Sequence, residues 1–172
     1  MPFVETLSWM IFSGLLVWAA LSDGRTLTIP NRLCLAVALL YLARLPVVGP
    51  TEWALGILIG LGGLAIGFVA FDRGLIGGGD AKLIAAVLPW AGSADAGAFL
   101  IVTALAGGTL ALFILARYRG ATLLRGLTGR AFLSERNGST DTGAPGLPYG
   151  IAIATGGLWI AARAMIDGPG EL

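Results

Sequence analysis

Histidine is absent from the sequence, cysteine occurs once, as Cys34, and only 12% of the residues are charged. Without histidine there can be no Ser-His-Asp triad, no Cys-His pair and no histidine-containing zinc site, and a single cysteine cannot form a disulfide within the chain. Cys34 is interpreted as a small buried apolar residue, the usual setting of a free cysteine. Acid–base chemistry would therefore rest on carboxylates, with Lys82, tyrosines or hydroxyls assisting, and we expect no metal or other cofactor.

Apolar residues make up 56% of the 172 residues, and the mean hydropathy is +0.86. An ordinary soluble domain has about 25% charged residues, so this composition indicates an integral membrane protein. Six apolar segments predict an all-α polytopic fold with six transmembrane helices, at about 7–21, 33–48, 53–71, 81–90, 98–116 and 149–166. A polar break at 22–25 ends the first. The fourth is short and carries Pro89, so it must be shielded by neighbours, continue past Pro89, or line a thinned or wet region.

Two further stretches of the sequence concern how the helices pack and how the chain is divided. Small residues let membrane helices pack closely, and the third segment carries a series of them: Gly56, Gly60, Gly63 and Gly67. The region at about 117–147 first mixes leucines with arginines and then becomes rich in Gly, Ser and Thr, which predicts a basic amphipathic segment in the headgroup region followed by a mobile one. We predict one membrane domain over 1–172.

The basic residues are distributed unevenly. Of the 11, all but Arg44 and Arg163 belong to the face formed by the loops after the first, third and fifth segments. The positive-inside rule makes that face cytoplasmic and places both termini on the outer, periplasmic side. The carboxylates on the cytoplasmic side are Asp23, Asp72, Asp80, Glu135 and Asp141. Glu135 and Asp141 fall in the predicted mobile loop, and Asp72 is interpreted as a solvated end residue. Asp23 and Asp80 therefore remain as the candidate site residues.

Asp80 belongs to the run Gly77-Gly78-Gly79-Asp80-Ala81-Lys82. A carboxylate at a membrane boundary is a functional candidate, although Asp80 could simply cap a helix starting at Ala81. The glycines either let a substrate backbone lie close to Asp80 or form a flexible turn between helices. Lys82 either places the substrate and tunes Asp80 or extends to the lipid headgroups.

The ordered set Asp23, Ile29-Pro30-Asn31, Gly77 to Lys82 and Pro148-Tyr149-Gly150 resembles the type IV prepilin peptidases, which belong to the GxGD membrane aspartic peptidases. The resemblance covers nearly the whole chain and is nearest to the short, peptidase-only form of the Flp (tight-adherence) pilus branch, TadV/CpaA-like. It implies that Asp23 and Asp80 are the catalytic pair. Substrate contacts are expected from the glycine run, Lys82 and Pro148-Tyr149-Gly150, although Tyr149 could equally be an interfacial anchor.

The resemblance further implies cleavage of the leader of a prepilin or pseudopilin at the cytoplasmic face of the bacterial inner membrane, without N-methyltransferase activity. Membrane lipid is an expected partner and nucleic acid is not, while the oligomeric state stays open. Two other functions are considered. Asp23 and Asp80 could relay protons or cations in a small transporter, or the chain could be a non-catalytic assembly component of a pilus or secretion machine.

Overall fold

The computed structural model describes residues 2–127 and 147–167, and within these ranges it is all-helical, with no strand. The helices are α1 (Pro2–Thr26), α2 (Asn31–Leu42), α3 (Leu45–Val48), α4 (Pro50–Asp72), α5 (Gly78–Leu127) and α6 (Tyr149–Asp167). Four candidate membrane spans are long and apolar enough by length and composition: Phe3–Thr26, Pro50–Asp72, Gly78–Arg117 and Tyr149–Ile166. The all-α, multi-pass class is confirmed, whereas the six spans and the side of the termini stay predictions.

Two compact units are present, one formed by Met1–Gly107 with Pro148–Leu172 and the other by Gly108–Leu147. Of the second unit, the structure describes the part of α5 up to Leu127, in which the Arg117 guanidinium lies 6.0 Å from the centre of the Phe113 ring. The rest of the predicted amphipathic and mobile segment, from 128 to 146, lies outside the described residues. All contacts below belong to the first unit.

Helix α1 is longer than the predicted first segment. The predicted polar break at 22–25 is wrong, because these residues stay helical and α1 ends only at Thr26. Leu27 then takes a left-handed conformation, with φ of 52°, and its N–H donates to the carbonyl of Asp23 at 2.8 Å, which closes the helix. Asp23 therefore lies in the last turn of α1 and is held by helical backbone geometry.

The predicted second segment, 33–48, is divided in the structure. Helix α2 ends at Leu42, and the short helix α3 carries Pro46 in its first turn. Proline has no N–H to donate to the preceding turn, so it begins a new helix more readily than it continues an old one. Gly49, with φ of 86°, then connects α3 to α4.

Helix α5 reverses direction at Gly92, where φ is 60° and ψ is −167°. The arm at 78–91 packs against α4 in the antiparallel sense, since Ala81 faces Gly67 and Pro89 faces Gly60. The following residues, up to 107, run antiparallel to α6. Of the three alternatives for the short fourth segment, shielding by neighbours holds, because Leu83, Val87 and Leu88 are buried, whereas the helix continues past Pro89 only to Ala91.

The glycine series on α4 is a packing surface, as predicted. A Cβ on Gly60 would lie 2.7 Å from Cγ of Pro89, and one on Gly67 would lie 3.1 Å from Cβ of Ala81. Gly56 and Gly60 are buried although most of α4 is exposed. The arm at 78–91 thus becomes the central element of the bundle, with Leu83 and Val87 fully buried.

Candidate active site

The first predicted site residue, Asp23, is buried, with 4% of its surface exposed. Its Oδ2 accepts a hydrogen bond of 2.6 Å from the backbone N–H of Gly150, 127 positions further along the chain. Gly150 belongs to the first turn of α6, where backbone N–H groups have no partner within the helix and the helix dipole favours a negative charge. The end of α6 therefore orients the Asp23 carboxyl group.

Gly150 cannot carry a side chain without displacing Asp23. A Cβ there would lie 2.9 Å from both Cβ and Oδ2 of Asp23 and 3.0 Å from its Cγ. The preceding Pro148 is half-buried, and its carbonyl accepts the N–H of Ile151 at 3.3 Å, which forms the first turn of α6. Proline before the helix and glycine inside its first turn thus bring the Gly150 N–H onto the carboxylate.

Asp80 lies in the first turn of α5, and the prediction that this helix starts at Ala81 is wrong, since it starts at Gly78. The carboxylate folds back on Gly77, whose backbone hydrogen-bonds to it, and a Cβ on Gly77 would lie 2.8 Å from Oδ2. This is the reciprocal bond that an acid at the third helical position makes to the residue capping the helix. The capping position considered for Asp80 from the sequence is therefore wrong, because Gly77 holds it; Asp80 contributes to the same cap from the third helical position.

Asp23 and Asp80 lie close enough for the charge of one to act on the other. They come from the last turn of α1 and the first turn of α5, and both helix ends meet at the same end of the bundle. Two neighbouring carboxyl groups in partly desolvated surroundings share one proton more readily than both ionise. Such a pair can accept a proton with one member and donate a proton with the other.

The run from Gly77 to Gly79 is closely packed against this chain's own residues. A Cβ on Gly78 would lie 3.2 Å from the Phe71 ring, and one on Gly79 would lie 3.3 Å from Cβ of Ile29. None of the three glycines has a positive φ, a conformation taken in this loop by Gly74. Close approach, and not left-handed geometry, is what requires glycine here. Contact with a substrate backbone stays a prediction.

Lys82 connects the glycine run to the start of α2. Its Nζ donates to Oδ1 of Asn31 at 3.0 Å, between two exposed side chains. Together with the contact of Ile29 on Gly79, this bond fastens the loop at 27–30 beside Asp80. Asn31 was not among the predicted site residues, although the Ile-Pro-Asn motif directly before an apolar helix marked its position.

Tyr149 has a packing contact that neither of its predicted roles included. The side chain is half-buried, and a Cβ on Gly107 would lie 2.7 Å from Cε2 of its ring. The ring thus holds the start of α6 against the second part of α5, at Gly107. In the described part of the chain, no three Cys, Asp or Glu side chains come together as a set of metal ligands.

A family model described as the type IV leader peptidase family matches residues 10–112. The chain belongs to the type IV leader peptidase family. The match contains Asp23, the Ile-Pro-Asn motif and the glycine run with Asp80, and it confirms the resemblance drawn from those motifs. Membership makes this leader peptidase a protease that acts on prepilin-type substrates. No curated protein and no solved structure matches the chain significantly.

Proposed function

We propose that this leader peptidase is an aspartic endopeptidase in which Asp23 and Asp80 form the catalytic pair. The observation that supports this most directly is that the last turn of α1 and the first turn of α5 bring these two carboxylates from distant parts of the chain to the same end of the bundle, near enough for the charge of Asp23 to act on Asp80. Each is oriented by backbone N–H groups at a helix start, Asp23 by Gly150 and Asp80 by Gly77. A catalytic pair must be held in this way before the substrate binds.

Hydrolysis by this pair uses a water molecule as the nucleophile. The ionised carboxylate accepts a proton from the water, whose oxygen attacks the scissile carbonyl carbon, while the protonated carboxyl group donates a hydrogen bond to the carbonyl oxygen. Collapse of the tetrahedral intermediate breaks the C–N bond, and a proton passes to the leaving amine. The pair ends with the number of protons with which it began, so the step needs no cofactor.

The proposal includes the setting of the reaction. The substrate is a prepilin or pseudopilin of the Flp type, cut at the cytoplasmic face of the bacterial inner membrane without N-methylation of the new terminus. The exposed basic residues at the aspartate end of the bundle support this orientation, since positive charge collects on the cytoplasmic side. They are Arg25, Arg32, Arg73 and Lys82.

The test is leader cleavage by purified protein in liposomes, with Asp23→Asn and Asp80→Asn compared with wild type. Each variant should lose about 10²–10⁴-fold in rate, because an amide can neither accept nor supply the proton. Asp72→Asn is the matched control, since Asp72 is an exposed acid at the end of α4. If either site variant cuts as fast as the control, the catalytic pair is refuted. Ion flux without any cleavage by wild type would favour the transporter function.

A further inference from the structure

A polar cavity lies at the opposite end of the bundle from Asp23 and Asp80. Its volume is about 500 Å³, and its walls include Arg44 and the carboxylate residues Glu5 and Glu52. It is bounded by Trp90, shortly before α5 reverses at Gly92, so the whole length of the arm at 78–91 separates it from Asp80. Small-molecule sites commonly measure about 300–1,000 Å³. The proposed catalytic chemistry uses none of these residues.

Arg44 is held in this wall by two indole rings. Only 6% of the residue is exposed, and its guanidinium lies 4.7 Å from the centre of the Trp9 ring and 4.8 Å from that of Trp90. The Trp90 ring is fixed in turn, because its N–H donates to the carbonyl of Val37. The ring centres of Trp9 and Trp90 are 5.1 Å apart, so both indoles lie on the same side of the guanidinium. Their cation–π contacts stabilise its charge and leave its N–H donors for other partners.

Those donors are incompletely satisfied. The ion pair from Nη2 of Arg44 to Oε1 of Glu5 measures 3.7 Å, beyond the roughly 2.7–2.9 Å of a charge-assisted hydrogen bond. The Nε atom is buried and has no hydrogen-bond partner. Burying a charged donor without an acceptor is costly, so an anionic oxygen that reaches the exposed part of the Arg44 guanidinium from the cavity would stabilise its charge.

The carboxylates give the same cavity an opposite charge. Glu5 lies in the first turn of α1 and Glu52 in the first turn of α4, and Glu52 is exposed. Both can accept hydrogen bonds from an ammonium group. One buried cation with unused donors and two carboxylates around a single cavity match a ligand that carries a phosphate and an ammonium group on neighbouring carbons.

We propose that this cavity binds a phosphoethanolamine group, with the phosphate on Arg44 and the primary ammonium between Glu52 and Glu5. The group can come from the headgroup of a membrane phospholipid or from a soluble phosphate ester. The helices that carry the two glutamates, α1 and α4, are candidate membrane spans, which places the cavity beside lipid. The ligand would fasten the ends of α1 and α4 to the loop at Arg44.

Binding is measured on the purified full-length protein with water-soluble short-chain lipids, by isothermal titration calorimetry. Dihexanoyl phosphatidylethanolamine should bind at least about tenfold more tightly than dihexanoyl phosphatidylglycerol, since only its ammonium group can donate charge-assisted hydrogen bonds to the two carboxylates. Arg44→Gln should weaken both lipids by about tenfold or more. Glu52→Gln should leave phosphatidylglycerol unchanged and remove the preference for phosphatidylethanolamine. Asp72→Asn, at the other end of the same helix, should bind as wild type.

Equal affinity for the two lipids, or an unchanged affinity in Arg44→Gln, overturns the proposal. Free phosphoethanolamine binding as tightly as the short-chain lipid supports the site and assigns its ligand to solution. If Arg44→Gln does not fold, as judged by thermal unfolding, the exposed Glu52→Gln decides, and a retained preference refutes the site. Asp80→Asn should keep full lipid binding, so failure of the catalytic pair and failure of this site are distinguishable.

Discussion

Replacing Gly150 by alanine places a methyl group against the Asp23 carboxyl group. The new Cβ would lie 2.9 Å from Oδ2 of Asp23, closer than side-chain atoms approach one another, so either Asp23 rotates away or the start of α6 moves. Asp23 lies in the last turn of a regular helix, and its Cβ would also be 2.9 Å from the new atom. Rotation of the side chain alone therefore cannot relieve the contact, and we expect the 2.6 Å hydrogen bond to be lost.

The expected cost follows from the strength of that bond. A hydrogen bond to a charged group contributes about 1.5–3 kcal/mol. Each 1.36 kcal/mol of barrier is a factor of ten in rate, so kcat should fall by about 10- to 150-fold. We expect KM to change little, because Gly150 acts on the carboxyl group through its backbone and the role proposed for Asp23 is on the water and the scissile bond.

The assay is leader-peptide cleavage in liposomes, run beside thermal unfolding of the same preparations. Gly157→Ala is the matched control: it also crowds α6 against α1, at Leu16, but far from Asp23. It should lower the unfolding temperature without lowering the kcat of the folded enzyme. Wild-type kcat in Gly150→Ala, or equal losses of kcat in both variants, would refute the positioning role of Gly150.

Two further predictions concern the surroundings of the site and the packing of the bundle. Lys82→Ala and Asn31→Ala should each lower kcat/KM for leader cleavage by about two- to tenfold. The double variant should be no slower than either single variant, because both substitutions remove the same 3.0 Å hydrogen bond. Additive losses in the double variant would contradict a shared role of the two residues. Gly60→Ala should lower the unfolding free energy by about 1–3 kcal/mol, since its Cβ would lie 2.7 Å from Pro89. Gly62→Ala, on the open face of α4, should be neutral or stabilising by up to about 1 kcal/mol, and equal unfolding temperatures of the two variants would contradict the packing interpretation.

Membrane class follows from the sequence alone, and so does the proposed type of chemistry. A chain with 56% apolar residues and long apolar segments must place them in lipid, and without histidine its acid–base groups are expected to be carboxylates. The glycine series on α4 could be interpreted as a packing face because small residues act in the same way wherever membrane helices meet. Asp23 and Asp80 could be predicted as site residues because each lies at the edge of an apolar segment, inside a recognisable motif.

Helix ends and contacts between distant residues were decided by the tertiary structure. Hydropathy shows where lipid begins, but a helix stops where its terminal backbone groups find other partners, so α1 continues through the polar residues to Thr26 and α5 starts at Gly78. The reversal at Gly92 and the Gly150 hydrogen bond to Asp23 depend on which helices pack together. No local pattern encodes a bond across 127 positions. None predicted that Arg44 contacts two indoles beside two carboxylates, because such contacts exist only once the bundle has formed.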